Sequence, residues 1–260
     1  MTDTFEQFQL SRRSRAYWRV TFDHPPINLL DDNTVPELER LLDLAEADPD
    51  LKVVVFDSAN PDFFIAHFSP AAGYKNLTTK KASGHYAWTE ITQRLANLPA
   101  VSIAAVRGRA RGGGSEFALA CDVRFASRER AILAQIEVGT ALLAIGGAIE
   151  RLPRLMGRAR ALEVLLGSDD FDADLAERYG WINRAIPDAA FEAFVEGFAQ
   201  RVASFDSQSI RETKRLVALR AGAATAADFD ETAAAFYGKT WPGTAARFPK
   251  LVELGSGKHS

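Results

Sequence analysis

Three consecutive glycines, Gly112, Gly113 and Gly114, lie between an apolar run and a helical pattern, and this junction restricts the fold more than any other feature. The run before them, Val101-Ser-Ile-Ala-Ala-Val106, reads as a buried strand, and the stretch after them, with Glu116 in its first turn, reads as a helix. A strand that passes into a helix through glycine belongs to an α/β layer arrangement. Without Cβ atoms, the glycines let a ligand approach the main chain, and the first N–H groups of a helix are left over to meet it. The helix dipole adds partial positive charge at the same place. The junction therefore favours a developing negative charge, with a carboxylate close by.

The flanking patterns extend this α/β reading. Phe8–Arg12 and Tyr17–Phe22 alternate like the arms of a hairpin, and Asp23-His-Pro-Pro26 then breaks the sheet because proline cannot donate to a ladder. Asp32 or Asn33 is the expected cap of a helix with Val35, Leu38, Leu41, Leu42 and Ala45 on one face. Lys52-Val-Val-Val-Phe56 reads as a parallel strand buried on both faces. A helix is expected over residues 79–98, ended by Pro99, and short strands over 123–126 and 131–133 around the polar turn 127–130. From Gly146 the periodicity is helical. Ile149, Leu152, Leu155 and Met156 form one apolar stripe, and Ala161, Leu162, Leu165 and Leu166 another. Residues 190–203, 207–219 and 226–237 are amphipathic, and no repeat of fixed period is visible.

Composition narrows the function classes. A net charge of −3 gives no broad basic face for nucleic acid. The single cysteine, Cys121, excludes an internal disulfide framework and fits a reducing compartment. The first residues lack the apolar segment of a signal peptide, and the weakly polar stretch 138–149 is far short of a membrane span, so a cytoplasmic protein is expected. His24, His67, His85 and His259 show no metal-ligand spacing, so no metal site is expected. Gly108 to Gly114 lacks the G-x-G-x-x-G spacing of a dinucleotide site. Ser115 is not in a G-x-S-x-G elbow and reads as a small residue at a helix start.

Four separated segments, taken in order, resemble the crotonase (enoyl-CoA hydratase/isomerase) superfamily, over about residues 8 to 242. Asp23-His-Pro-Pro-Ile-Asn-Leu-Leu30 resembles the family's early Pro…Asn-Ala-Leu stretch. Phe63-Phe-Ile-Ala-His-Phe-Ser69 stands where the family reads Phe-x-Ala-Gly-x-Asp. Gly112-Gly-Gly-Ser-Glu116 matches its Gly-Gly-Gly-x-Glu signature. Gln135-Ile-Glu-Val-Gly139 is similar to its Pro-Glu-x-Gly, followed by Arg151-Leu152 for its Gln-Arg-Leu.

The resemblance implies a ββα spiral core over 1–200 and a helical C-terminal region over 201–260, assembled as a trimer or dimer of trimers. It implies an acyl-CoA thioester substrate, no cofactor beyond the CoA that substrate carries, and no nucleic-acid or membrane partner. The main-chain N–H groups of Phe68 and Gly113 would form an oxyanion hole, with Glu116 and Glu137 as the acid–base pair of a 2-enoyl-CoA hydratase. A Δ3/Δ2-enoyl-CoA isomerase working mainly through Glu137, thioester hydrolysis, C–C lyase chemistry and a non-catalytic acyl-CoA binder are the alternatives. Pro26, Ile27, Ala66, His67, Gly112, Leu142, Phe236 and Lys239 would line the substrate and CoA sites, and Arg107, Arg109 and Arg111 either reach CoA phosphates or lie solvated in a loop.

The second segment departs from the family: His67, Phe68 and Ser69 replace Gly, a small residue and Asp. His67 reads either as a third titratable group or as a loop histidine bonded to the backbone. A dehalogenase-like nucleophile is not supported, since residues 131–150 contain no Asp. Ala144-Ile145 in place of Pro-Gly, with Leu142 and Leu143, gives a more apolar wall. His85, Tyr86 and Trp88 either contact substrate or simply pack.

Overall fold

The computed structural model describes residues 4–69, 75–247 and 249. Among them the chain winds through β1 (Phe8–Arg12), β2 (Tyr17–Phe22), α1 (Thr34–Ala47), β3 (Val53–Ser58), β4 (Phe63–Ile65), α2 (Lys75–Thr78) and α3 (Ala87–Asn97). It continues through β5 (Val101–Val106), β6 (Arg109–Arg111), α4 (Gly113–Ala120), β7 (Val123–Ser127), β8 (Ile132–Ala134), a 3-10 turn (Val138–Thr140), α5 (Ala148–Met156) and α6 (Arg158–Gly167). It ends with β9 (Phe171–Asp172), α7 (Ala173–Tyr179), β10 (Arg184–Ile186), α8 (Asp188–Ala203), α9 (Ser207–Arg220) and α10 (Ala226–Tyr237).

The strands fall into a six-stranded sheet, β1-β2-β3-β5-β7-β10, and a four-stranded one, β4-β6-β8-β9. Successive turns of the chain deposit one strand in each: β3 then β4, β5 then β6, β7 then β8. This is a ββα spiral, repeated in space without any repeat of residues. The β1–β2 hairpin is antiparallel, and every other pairing in the large sheet is parallel.

Alternation in the large sheet explains its continuous apolar runs. Val54 and Phe56 face the main core with Trp18, Leu38 and Phe117, whereas Val53 and Val55 face a second cluster with Ile103, Phe125 and Phe191, Val195 and Ala199 of α8. Both faces are covered, as the Lys52–Phe56 run suggests.

Three local expectations are corrected. The α1 start is held by Asp31, whose carboxylate accepts from the Asn33 and Thr34 N–H groups at 2.9 and 3.0 Å, and Asn33 itself makes no side-chain cap. The helix expected over 79–98 begins only at Ala87, because Lys80 and Tyr86 pair as an antiparallel bridge. Leu155 and Leu166, placed on apolar stripes, are 41% and 62% exposed, and Leu152, Met156, Ala161 and Val164 carry the burial instead.

Candidate active site

β4, β6 and β8 are parallel neighbours, and their C-terminal ends deliver three segments side by side. Beyond β4 come Ala66, His67 and Phe68; beyond β6, Gly112 and the start of α4; beyond β8, Gln135 to Glu137. The crevice at the carboxyl ends of parallel strands is where an α/β layer has main-chain groups to spare. Gly112 bridges two of the segments, donating its N–H to the Ala134 carbonyl at 3.0 Å. It does so at φ +50, where an L side chain is strained, and a Cβ there would stand 2.9 Å from Oε1 of Glu137.

The β4 segment is pinned from outside. Leu30 donates to the His67 carbonyl at 2.9 Å and accepts from Ser69 at 2.7 Å, and Ala66 donates to Asn28 at 3.0 Å. Asn28, buried at φ 54, holds this brace through its amide, which donates to Phe22 and Phe64 carbonyls and to Ser58. The Pro-Pro-Ile-Asn stretch thus shapes the site from behind: Pro26 is exposed, Ile27 half-buried, and Asn28 is the structural anchor.

Among the described residues, neither the Phe68 nor the Gly113 main-chain N–H donates to a protein acceptor. The Phe68 ring lies over Gly113, where a Cβ would come within 2.6 Å of it. A bulky side chain at position 68 is accommodated because position 113 has none. Trp88 meets the Phe68 ring edge-on at 4.8 Å between centroids. His67 is 2% exposed, and its Nδ1 lies 2.6 Å from the Phe68 carbonyl, so its ring is tied to the backbone.

Glu116 is buried on the first turn of α4, with both carboxylate oxygens engaged. Oε1 accepts from the Gly146 N–H at 2.6 Å and Oε2 from the Trp88 indole N–H at 3.1 Å. Gly146 must lack a side chain, since a Cβ would stand 2.2 Å from the indole nitrogen and 2.5 Å from Oε2. Burial pushes the Glu116 carboxyl up to about 7 despite these two donors. Glu137 caps the 3-10 turn, and its Oε2 accepts from the Gln135 amide at 3.1 Å. Burial first, and then the neighbouring Glu116 charge, push its carboxyl up to about 8. Burial therefore favours the protonated form of both, and the charge of one raises the other.

Trp88, Gly146 and Gln135 are the functional neighbours that pattern reading did not single out as such. Trp88 stood on the expected pocket helix but looked like any packed aromatic. Arg151 backs the arrangement, donating to the Gly146 carbonyl at 2.9 Å and to Thr92 at 3.1 Å. No group of three or more His, Cys, Asp or Glu that could hold a metal occurs among the described residues.

The sequence profile described as enoyl-CoA hydratase/isomerase matches residues 12–240. The chain belongs to that family. A crystal structure from Streptomyces avermitilis, provisionally assigned as an enoyl-CoA hydratase, superimposes with a TM-score of 0.89 at 39% identity, covering 100% of this chain and 94% of that one. The architecture is therefore the crotonase fold, an α/β spiral with a helical C-terminal region. The (E)-benzylidenesuccinyl-CoA hydratase of Thauera aromatica is 30% identical over 206 residues, 77% of this chain and 78% of that protein. The fatty acid oxidation complex subunit alpha of Shewanella frigidimarina is 32% identical over 190 residues, 70% of this chain, and the matched region is only 26% of that subunit's length.

Within this family member, the remaining expected site residues scatter. Leu142 is half-buried and donates its N–H to the Glu137 carbonyl at 2.8 Å, so it does border the site. Phe236 is half-buried and stacks on Trp241, and Lys239 is exposed. Tyr237, next in line, is also half-buried, with its hydroxyl oxygen shielded from solvent. The three arginines are neither free nor loop-solvated as a group: Arg107 pairs with Asp188, Arg111 is buried against Asp170, and Arg109 lies over the Phe63 ring. No described helix is long and apolar enough to cross a membrane.

Proposed function

We propose that this protein is an enoyl-CoA hydratase, adding water across the double bond of a 2-enoyl-CoA or catalysing the reverse dehydration. The observation that carries the reading is the pair of charge-coupled carboxylates, Glu116 and Glu137, beside two main-chain N–H groups without protein acceptors. Glu116 takes a proton from water as its oxygen bonds to Cβ. The π electrons move towards the thioester, and the resulting enolate oxygen accepts from Phe68 and Gly113. Glu137 then gives its proton to Cα. The water is consumed as one proton and one hydroxide, and the carboxyl pair is returned by proton exchange. One oxyanion donor contributes roughly 3–4 kcal/mol and each acid–base group about 10²–10⁴-fold. CoA enters only as part of the substrate.

The isomerase reading has one observation in its favour. Both oxygens of Glu116 are held by donors, which leaves Glu137 better placed to shuttle a proton alone. A panel of 2-enoyl- and 3-enoyl-CoA thioesters, assayed with Glu116→Gln and Glu137→Gln, separates the two. Loss of about 10²-fold or more in both variants supports the hydratase. Loss in Glu137→Gln only, on 3-enoyl substrates, supports the isomerase. Release of free CoA or of a shortened thioester would point to hydrolase or lyase chemistry. Tight CoA-thioester binding without turnover would leave a binder.

A further inference from the structure

One buried polar atom on α10 is used by none of the steps above. The hydroxyl oxygen of Tyr237 is shielded from solvent and has no hydrogen-bond partner among the described residues. A buried hydroxyl left unpaired is unfavourable, so its retention calls for an acceptor that arrives from elsewhere. Helix geometry aims it: Phe229, Ala233 and Tyr237 follow at four-residue spacing on α10, and the first two are buried. Phe229 packs on Arg151, the residue that holds the Gly146 loop against Glu116. The Tyr237 ring is then fixed by Tyr86, stacked at 3.7 Å between centroids, at the start of the helix that carries Trp88. Glu116 is one of the two groups whose charge reaches the phenol, the other being Tyr86. Burial, Tyr86 and Glu116 all favour the protonated hydroxyl, so it is a donor.

We propose that Tyr237 is a specificity-determining residue of the acyl pocket, donating a hydrogen bond to a neutral oxygen carried by the acyl chain of the substrate. The oxygen is a hydroxyl, ether or keto group rather than a carboxylate, because the burial that disfavours the charged forms of Glu116 and Glu137 would disfavour a third carboxylate beside them. A site built to pair such an oxygen discriminates against the analogue that lacks it, since the donor is then left unsatisfied.

The inference rests on the acyl-CoA reading above, and its test is read first in turnover and, should turnover be absent, in binding. Tyr237→Phe keeps the ring and its stacking on Tyr86 and removes only the hydroxyl. Wild type and variant are compared on 2-enoyl-CoA thioesters of equal chain length, one series plain and one with an ether or keto oxygen at successive positions. Wild type is expected to favour an oxygenated thioester by roughly tenfold or more in kcat/KM, mainly through KM, and Tyr237→Phe to bring that ratio to about one. No preference in wild type, or an equal fall on both series in the variant, overturns the proposal. If wild type turns over neither series, the hydratase reading fails. Calorimetric Kd values for the saturated thioester pairs then decide this one: a tenfold wild-type preference lost in Tyr237→Phe upholds it, and equal affinities overturn it.

Discussion

Glu116 and Glu137 have the same side chain but are held differently, the first by Trp88 and Gly146 and the second by Gln135. Both carboxyls are raised by burial, so in the folded state each keeps its proton over a range where the unfolded chain has released it. The folded state binds more protons there, and stability falls as pH rises from the ordinary carboxylate range towards 7 and 8. Glu137→Gln removes the charge and keeps an acceptor for the Gln135 amide. Its melting temperature is expected to exceed wild type by a few degrees at pH 8, with a smaller difference at pH 5, as scanning calorimetry at both values would show. A gain of equal size at both pH values would contradict the assignment. Trp88→Phe deletes one of the two donors that hold the Glu116 charge. The acidic limb of the pH–rate profile is expected to move upward, and unfolding free energy to fall by about 1–3 kcal/mol. Of these residues, Glu116 was legible from its place just after the glycines and Glu137 from the family resemblance. Trp88 was not, because its one polar atom finds a partner 28 positions away and nothing local marks it.

At the scale of elements, the strand-to-helix junction after β6 does what its glycines suggest, and for a measurable steric reason. A Cβ on Gly114 would lie 2.1 Å from the Ile65 carbonyl oxygen, so α4 can dock against β4 only with a bare backbone at that position. Gly114→Ala is expected to lose several kcal/mol or fail to fold, seen as a lowered denaturant midpoint. Gly197, exposed inside α8, has nothing within 4 Å of where a Cβ would stand. Gly197→Ala should therefore raise stability by about 0.5–1 kcal/mol in the same measurement. Most strands and the later helices follow their periodicity closely. Tertiary pairing overrides it at residues 79–86, where the Lys80–Tyr86 bridge places Tyr86 in contact with a ring from α10.

At the scale of the whole molecule, the C-terminal segment folds back over its own core. Thr244 donates to the Ala141 carbonyl at 3.1 Å and Arg247 to the Gly139 carbonyl at 3.1 Å, bracketing the turn that follows Glu137. The tail thus packs on the turn beside Glu137 in its own chain. On α9, Leu216, Val217 and Leu219 are 40%, 60% and 66% exposed, an apolar face next to Phe205 at 50%. If the trimer implied by the family resemblance forms through this face, Val217→Glu with Leu219→Lys should convert it to monomer in light scattering, and an unchanged mass would place the contact elsewhere.

Local pattern was enough for the α/β class, six of the ten strands and the glycine junction, because each is written in periodicity or in a short run of residue types, and the family resemblance added the two carboxylates. Only the tertiary structure decided what lies beside what. The parallel order β4-β6-β8 brings Phe68, Gly113 and Glu137 to one edge from segments tens of residues apart. Phe68 fits because Gly113 is bare, Glu116 is held by Trp88 and Gly146, and Tyr237 stacks on Tyr86. Contacts of this kind depend on which surfaces pack together, and packing is a property of the folded whole.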